Sequence, residues 1–146
     1  MVGFRTPDDV IYLADCLSGK ATLDKYKISF IYDVASYLET LETVKTLKAK
    51  MFVPSHADAT EDISSLAQYN IDTVHEIAEK ICEICTEPVC FEQILKKLFD
   101  DYSLVLNFEQ YVLVGSTVRS YLSWLKEQGR LDVVFEDNML LWKEIS

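Results

Sequence analysis

The chain has 146 residues, of which 49% are hydrophobic and 26% are charged, a composition typical of globular proteins and not of disordered ones. Its formal net charge of −10 opposes binding to phosphate backbones or anionic membranes. No apolar run is long enough to span a bilayer, the N-terminus shows no signal-peptide pattern, and the 4 cysteines suit a reducing compartment. We therefore expect a cytoplasmic protein.

The N-terminal third predicts a β-hairpin followed by a helical connection to a further strand. Residues 2–4 and 10–14 are apolar and flank a turn sequence that contains proline and aspartate. The second of these segments lacks polar alternation, which is typical of a strand buried on both faces. A short helix over residues 21–26, a helix behind the N-cap Asp33 and a strand at residues 51–53 follow. This order indicates a right-handed crossover in a layered α/β sheet.

A long helix is expected from about Glu61 to the residues before Pro88. Its apolar residues recur at helical spacing, and either Asp58 or Thr60 can cap its start. Proline disfavours helical geometry in the residue before it, so the helix ends there. We place a domain boundary at Thr86 to Pro88, which predicts one domain over residues 1–87 and a second over residues 88–146.

The C-terminal part predicts two helices and a terminal hairpin. The first helix carries apolar residues at helical spacing, namely Phe91, Ile94, Leu95, Leu98 and Phe99. Asn107 with Gln110 three residues later resembles a capping box that opens the second helix, and Gly129 is a natural stop. Residues 131–135 and 139–142 then flank a polar turn. Together these elements resemble a small winged-helix unit.

Two apolar segments end at side chains that can bind a metal ion. The segment at residues 10–14 is followed by Asp15, and the segment at residues 51–55 is followed by His56. A carboxylate can bridge two metal ions, an imidazole can ligate one, and a bound divalent metal lowers the pKa of its water towards neutrality. On residue types alone, two interpretations stand. Either the two residues are ligands of one site, or Asp15 caps the following turn and His56 is an ordinary loop histidine.

These segments resemble the C-terminal half of the metallo-β-lactamase-fold hydrolases over about residues 2–85. In that family a strand ends in a metal-bridging aspartate within a G/A-D-S/T-L-like motif, which Ala14-Asp15-Cys16-Leu17 matches. A later strand ends in P-G-H, which Pro54-Ser55-His56 matches, and a helix like residues 33–48 lies between them. The resemblance implies half of an αββα sandwich in which Asp15 bridges the metals and His56 ligates one of them.

The chain departs from this family at most of its metal ligands. The principal motif, H-x-H-x-D-H, and a third histidine segment precede these elements in the family and are absent here, where the chain has 2 histidines in all. Serine also replaces the glycine at position 55. Two ligands are too few for a tight hydrolytic zinc site. The resemblance implies a longer enzyme that uses zinc, manganese or iron to cleave a small-molecule ester, thioester or phosphoester, and we expect this chain to be an inactive fragment of it.

The remaining cysteines and the second histidine have structural interpretations. Cys82 and Cys85 form a C-x-x-C pair, but they lie on or beside the apolar stripe of the long helix and no second pair completes a zinc site. We interpret them, together with Cys90, as small hydrophobic residues. His75 is expected at the solvent margin of the same helix.

The competing hypothesis is a non-enzymatic module that binds protein or nucleic acid through the winged helix. Its second helix offers only two cations, Arg119 and Lys126, and the hairpin is acidic, so nucleic acid is the less favoured partner. A C-terminal helical extension that shapes the substrate entrance is what the family resemblance implies instead.

Self-association is a further expectation. Without an N-terminal half, the predicted hairpin and the apolar sheet face around residues 10–13 would lack their packing partners. Exposed strand edges and apolar patches promote association, so we expect a homodimer or a higher homo-oligomer.

Overall fold

The computed structural model describes residues 3–146 and has the mixed α/β character that the sequence predicts. Its elements in chain order are β1 (Gly3–Arg5), β2 (Val10–Leu13), α1 (Lys20–Tyr26), α2 (Val34–Thr46), β3 (Met51–Pro54), α3 (Ser64–Ile84), α4 (Phe91–Asp101), α5 (Phe108–Glu127), β4 (Leu131–Glu136) and β5 (Met139–Glu144). The first residue of the predicted N-terminal strand, Val2, lies outside the described residues. No helix within residues 3–146 is both long enough and apolar enough to cross a bilayer.

The described residues form two compact units. The first unit comprises residues 3–29 and 35–74, and the second comprises Phe30–Val34 and His75–Ser146. The division falls inside α3, between Val74 and His75. It differs from the domain boundary expected at Thr86 to Pro88, which remains a prediction.

The first unit contains a three-stranded sheet with the order β1-β2-β3. β2 pairs antiparallel with β1 and parallel with β3. The core of the unit is a cluster of buried side chains from β2, β3, α2, α3 and the loops after β2 and before α3: Ile11, Leu13, Leu17, Leu41, Val44, Phe52, Ile63, Ala67 and Ile71. Burial of β2 on both faces was the wrong expectation, since Tyr12 is 51% exposed. Alternate residues of a strand point to opposite faces, and the buried residues of β2 lie on one face only.

The start of α3 differs from the expected one. The helix begins at Ser64, and Asp62 accepts a hydrogen bond from the Ser64 backbone N–H at 2.9 Å. Thr60, one of the two expected caps, instead forms an isolated antiparallel bridge with Phe52 in β3. Its backbone is therefore extended and bound to the sheet, so the helix can start only after it. The end of α3 at Ile84 agrees with the stop expected before proline.

The helices of the second unit follow the sequence pattern closely. The five apolar residues expected on one face of α4 are all buried. α5 begins after Asn107, whose side chain accepts a hydrogen bond from the Gln110 backbone N–H at 2.8 Å. It ends before Gly129, whose φ of 71° is the left-handed conformation that favours glycine after a helix.

The predicted terminal hairpin is formed by β4 and β5, which pair antiparallel. Asp137 and Asn138 connect them with φ angles of 48° and 61°, as in the type I′ turn that fits the twist of a hairpin. Trp142 in β5 also forms an isolated bridge with Val89, which precedes α4. The order of elements is therefore helix, single bridge residue, two helices and hairpin.

Candidate functional site

The two candidate ligands meet at one edge of the sheet in the first unit. β2 and β3 are parallel and in register, with Leu13 opposite Pro54, so both strands end at the same edge. Asp15 and His56 each follow two residues after this pair. The Asp15 Oδ1 atom lies 2.9 Å from the His56 Nε2 atom. The structure thus brings together the acid and the imidazole that the sequence analysis singled out.

Both side chains of this pair are open to solvent. The exposed fraction is 61% for the His56 side chain and 79% for that of Asp15. An exposed pair of this kind adds little to the free energy of folding, because water competes for the contact and two side chains must be ordered. The pair therefore has no evident structural purpose, and its oxygen and nitrogen atoms are accessible to a ligand.

The backbone beneath the pair is held by close contacts between the segments that follow β2 and β3. The Ser55 hydroxyl donates a hydrogen bond to the Leu13 carbonyl at 3.1 Å. Gly19 packs closely on the segment that contains His56. A Cβ atom on Gly19 would lie 2.5 Å from the His56 carbonyl oxygen. The side chains at the site are exposed, whereas the segments that carry them fit tightly.

Gly19→Ala is expected to lower the free energy of unfolding by about 1–3 kcal/mol, because the added methyl group overlaps a backbone oxygen that must move. The imidazole signals of His56 should shift in the same variant. The matched control is Gly115→Ala in α5, where the nearest atom to an added Cβ is 3.6 Å away. That variant should be stabilised by about 0.5–1 kcal/mol, because alanine favours a helix over glycine. Urea denaturation measures both values, and equal effects would contradict the close contact at Gly19.

Sequence reasoning missed a buried polar residue behind the site. Asn70 in α3 is 1% exposed, and its side chain binds the backbone of Ser18, three residues after Asp15. The Tyr37 hydroxyl donates a hydrogen bond to the same side chain at 3.0 Å. The only sequence signal is an asparagine at a position of α3 that helical spacing places beside Leu66 and Ala67, on the apolar stripe.

The donor atoms at the edge fit a divalent transition metal in kind. Imidazole nitrogen and carboxylate oxygen are ligands of zinc and manganese. Within residues 3–146, however, the structure brings together no group of three or more His, Cys, Asp and Glu side chains that could hold a metal ion. Burial raises the pKa of the neighbouring Cys16 thiol, which disfavours a thiolate ligand. Asp15 and His56 are therefore two candidate ligands, which are too few by themselves for a tight metal site.

The other candidate side chains lie in the second unit. Cys82 and Cys85 are buried, as expected for core residues, and burial raises the pKa of the Cys85 thiol to about 12. His75 is exposed, as predicted, and its ring centroid lies 6.3 Å from that of Trp124.

The fold is that of metallo-β-lactamase-type domains, in part of their length. The chain is similar to a beta-lactamase domain protein from Burkholderia ambifaria, with a TM-score of 0.74 and 17% identity over 94% of this chain and 42% of that chain. It is also similar to a metallo-beta-lactamase family protein from Thermus thermophilus, with a TM-score of 0.68 and 14% identity over 94% of this chain and 42% of that chain. The chain thus spans less than half the length of both structures.

These structural similarities define the fold and nothing finer. No protein-family model matches the chain. No curated protein sequence matches it either.

Proposed function

We propose that this chain is the C-terminal part of a metal-dependent hydrolase of the metallo-β-lactamase superfamily, acting on a small-molecule ester, thioester or phosphoester. Asp15 and His56 would be two of its metal ligands, with the remaining ligands supplied from outside these residues. The observation that carries the proposal is the 2.9 Å approach of the two side chains at the end of two parallel strands. The similarity to metallo-β-lactamase-type structures supports the same assignment of class.

The proposed roles follow from the chemistry of the side chains. A bound zinc or manganese ion would supply hydroxide at neutral pH by lowering the pKa of a coordinated water. Asp15 has two oxygens and could bridge two ions, and His56 would bind one ion through its Nε2 atom. The rigid strand ends would fix the distance between them. With two of the ligands on this chain, we propose that it does not hydrolyse substrates alone.

The proposal predicts selective binding of Mn²⁺ at His56. The chain has 2 histidines, so the imidazole nitrogen spectrum of a ¹⁵N-labelled sample contains two sets of signals. Substoichiometric Mn²⁺ should broaden the His56 signals before those of His75, because a paramagnetic ion broadens the nearest nuclei most. Asp15→Asn keeps the shape of the side chain and removes its charge, and it should abolish this selectivity.

The matched controls replace each histidine in turn with alanine. His75→Ala should leave the broadening at position 56 unchanged, whereas His56→Ala should remove Mn²⁺ binding at this edge. Equal broadening of both histidines, or a response in the Asp15→Asn variant like that of the unmodified chain, would contradict the proposal.

In a separate experiment, turnover of thioester and phosphodiester substrates by this chain with zinc or manganese should stay at background. Activity that Asp15→Ala abolishes would refute the proposed inactivity.

We propose that the second unit contains a winged-helix-like module that contributes to the architecture of the enzyme. The order of α3, the Val89 bridge, α4, α5 and the β4–β5 hairpin supports this assignment. Nucleic acid is a poor candidate ligand, because both cations of α5 have partners within the chain. The Arg119 guanidinium carbon lies 3.6 Å from the centroid of the Phe91 ring, and Lys126 pairs with Asp132 at 2.6 Å.

Self-association through the open face of the sheet is part of the proposal. Phe4 and Tyr12 are paired across β1 and β2 and are 65% and 51% exposed. Sedimentation at high micromolar concentration is expected to give a dimer or a larger species. Tyr12→Lys should shift the distribution towards monomer, because it places a charge on the apolar face. Tyr32→Lys is the matched control, since Tyr32 is exposed but lies in the other unit, and a clean monomer of the unmodified chain would contradict the prediction.

A further inference from the structure

The loop that carries Asp15 is held by contacts at Leu17, Ser18 and Gly19, the residues that lead into α1. It leaves β2 after Leu13 and reaches α1 at Lys20. Leu17 is 2% exposed and belongs to the core of the first unit. Gly19 lies against the His56 backbone. Between these two points, Ser18 is the residue whose backbone needs a polar partner.

Asn70 is that partner, through both backbone groups of Ser18. The Ser18 N–H donates to the Asn70 Oδ1 atom at 2.9 Å, and the Asn70 Nδ2 atom donates to the Ser18 carbonyl at 2.9 Å. This pair of bonds is what a neighbouring strand would provide. It fixes the position and the direction of the loop backbone at Ser18. Ser18 and Asn70 are separated by 52 positions in the sequence.

The asparagine itself is held in one orientation by two further bonds. Its Nδ2 atom also donates to the Leu66 carbonyl one turn earlier in α3 at 2.9 Å, and its Oδ1 atom also accepts from the Tyr37 hydroxyl at 3.0 Å. A side-chain amide has two donor hydrogens and two acceptor lone pairs, and all four are used. Burial raises the pKa of Tyr37 to about 12, so its hydroxyl stays protonated and remains a donor.

We propose that Asn70 is a positioning residue that fixes the loop between β2 and α1 and so holds Asp15 opposite His56. This inference rests on the proposed function, because it assigns Asn70 to the same metal ligands. Fully satisfied buried polar groups specify one geometry, since each alternative leaves a donor or an acceptor without a partner. The Asp15 side chain contacts His56 but is 79% exposed, so burial does not fix it. Its position therefore depends on the backbone that Asn70 binds.

The test measures the loop and the ligand pair separately in the 146-residue chain. In the metal-free protein, hydrogen exchange of the Ser18 amide reports the bond to Asn70. Asn70→Ala should accelerate this exchange at least about tenfold, because the amide loses its acceptor. The affinity for Mn²⁺, read from broadening of the His56 signals, should fall about 10- to 100-fold, as for other residues that orient metal ligands.

Two variants distinguish positioning from general destabilisation. Thr73→Val removes another buried hydrogen bond of α3, from the Thr73 hydroxyl to the Tyr69 carbonyl at 2.9 Å. It should leave both Ser18 exchange and Mn²⁺ affinity within about twofold of the unmodified chain. Tyr37→Phe keeps both bonds to Ser18 and should change the exchange rate less than about threefold. Asn70→Ser serves if Asn70→Ala folds too weakly, since a serine hydroxyl has one donor hydrogen and cannot bind both the Ser18 and the Leu66 carbonyls as the amide does.

The outcomes separate the inference from the proposed function. Unchanged Ser18 exchange in the Asn70 variants, or unchanged Mn²⁺ affinity despite faster exchange, would overturn the positioning role. Equal losses in Thr73→Val would also overturn it, because they would reflect stability alone. Absence of Mn²⁺ binding in the unmodified chain would contradict the proposed function, and the metal-free exchange rates would then decide by themselves whether Asn70 fixes the loop.

Discussion

Phe52→Ala is expected to lower the free energy of unfolding by about 3–5 kcal/mol, the usual cost of removing a buried phenylalanine. Phe52 is 2% exposed, lies opposite Ile11 in the sheet, and belongs to the core cluster of the first unit. Small domains are stable by about 5–15 kcal/mol in total, so this loss is a large fraction of the whole. Urea denaturation followed by circular dichroism measures it, and the His56 imidazole signals report the local effect at the end of β3.

The control for this prediction is an aromatic residue on the opposite face of the same sheet. Tyr12 in β2 is 51% exposed, and Tyr12→Ala should cost about 1 kcal/mol or less. The comparison tests whether one face of the sheet carries the core. If the two substitutions are equally destabilising, the exposed face is covered in solution, as self-association through Phe4 and Tyr12 would produce.

The second unit could be predicted from sequence because its signals are local. The apolar residues of α4 recur within three turns, and all five of those expected on its inner face are buried. The cap at Asn107 and the stop at Gly129 depend on residues only a few positions away. Periodicity, capping and turn chemistry act over this range, so a single sequence contains them.

The depth of burial of a strand is not local, and the prediction for β2 failed for that reason. An apolar run without polar alternation is compatible with two covered faces, but covering requires another layer of structure. In residues 3–146 the buried side chains of β2 are Ile11 and Leu13, and Tyr12 faces the other way. The predicted start of α3 was wrong for a similar reason, because Thr60, an expected N-cap, is bridged to Phe52 in β3.

The candidate site contains one feature that the sequence predicts and one that depends on tertiary structure. The approach of Asp15 and His56 could be predicted, since side chains that follow two adjacent parallel strands meet at one edge of a sheet. The role of Asn70 could not, because an asparagine on a helical stripe gives no indication of which backbone it binds. Its partner Ser18 lies 52 positions away, and tertiary structure alone brings them into contact. Sequence therefore predicted the approach of the two proposed ligands, and the structure was needed to find the residue that we propose positions one of them.

Leu98→Ala is expected to lower the free energy of unfolding by about 2–5 kcal/mol, because it opens a cavity in the core of the second unit. Leu98 is 0% exposed, whereas the side chain of its neighbour Lys97 is exposed to solvent. Lys97→Ala is thus the matched control and should stay within about 0.5 kcal/mol of the unmodified chain. Both tryptophans, Trp124 and Trp142, lie in the second unit, so urea denaturation followed by tryptophan fluorescence reports its unfolding. A loss under about 1 kcal/mol for Leu98→Ala would mean that α4 is not packed in a core. The proposed winged-helix-like module would then lack the buried helix on which the proposal depends.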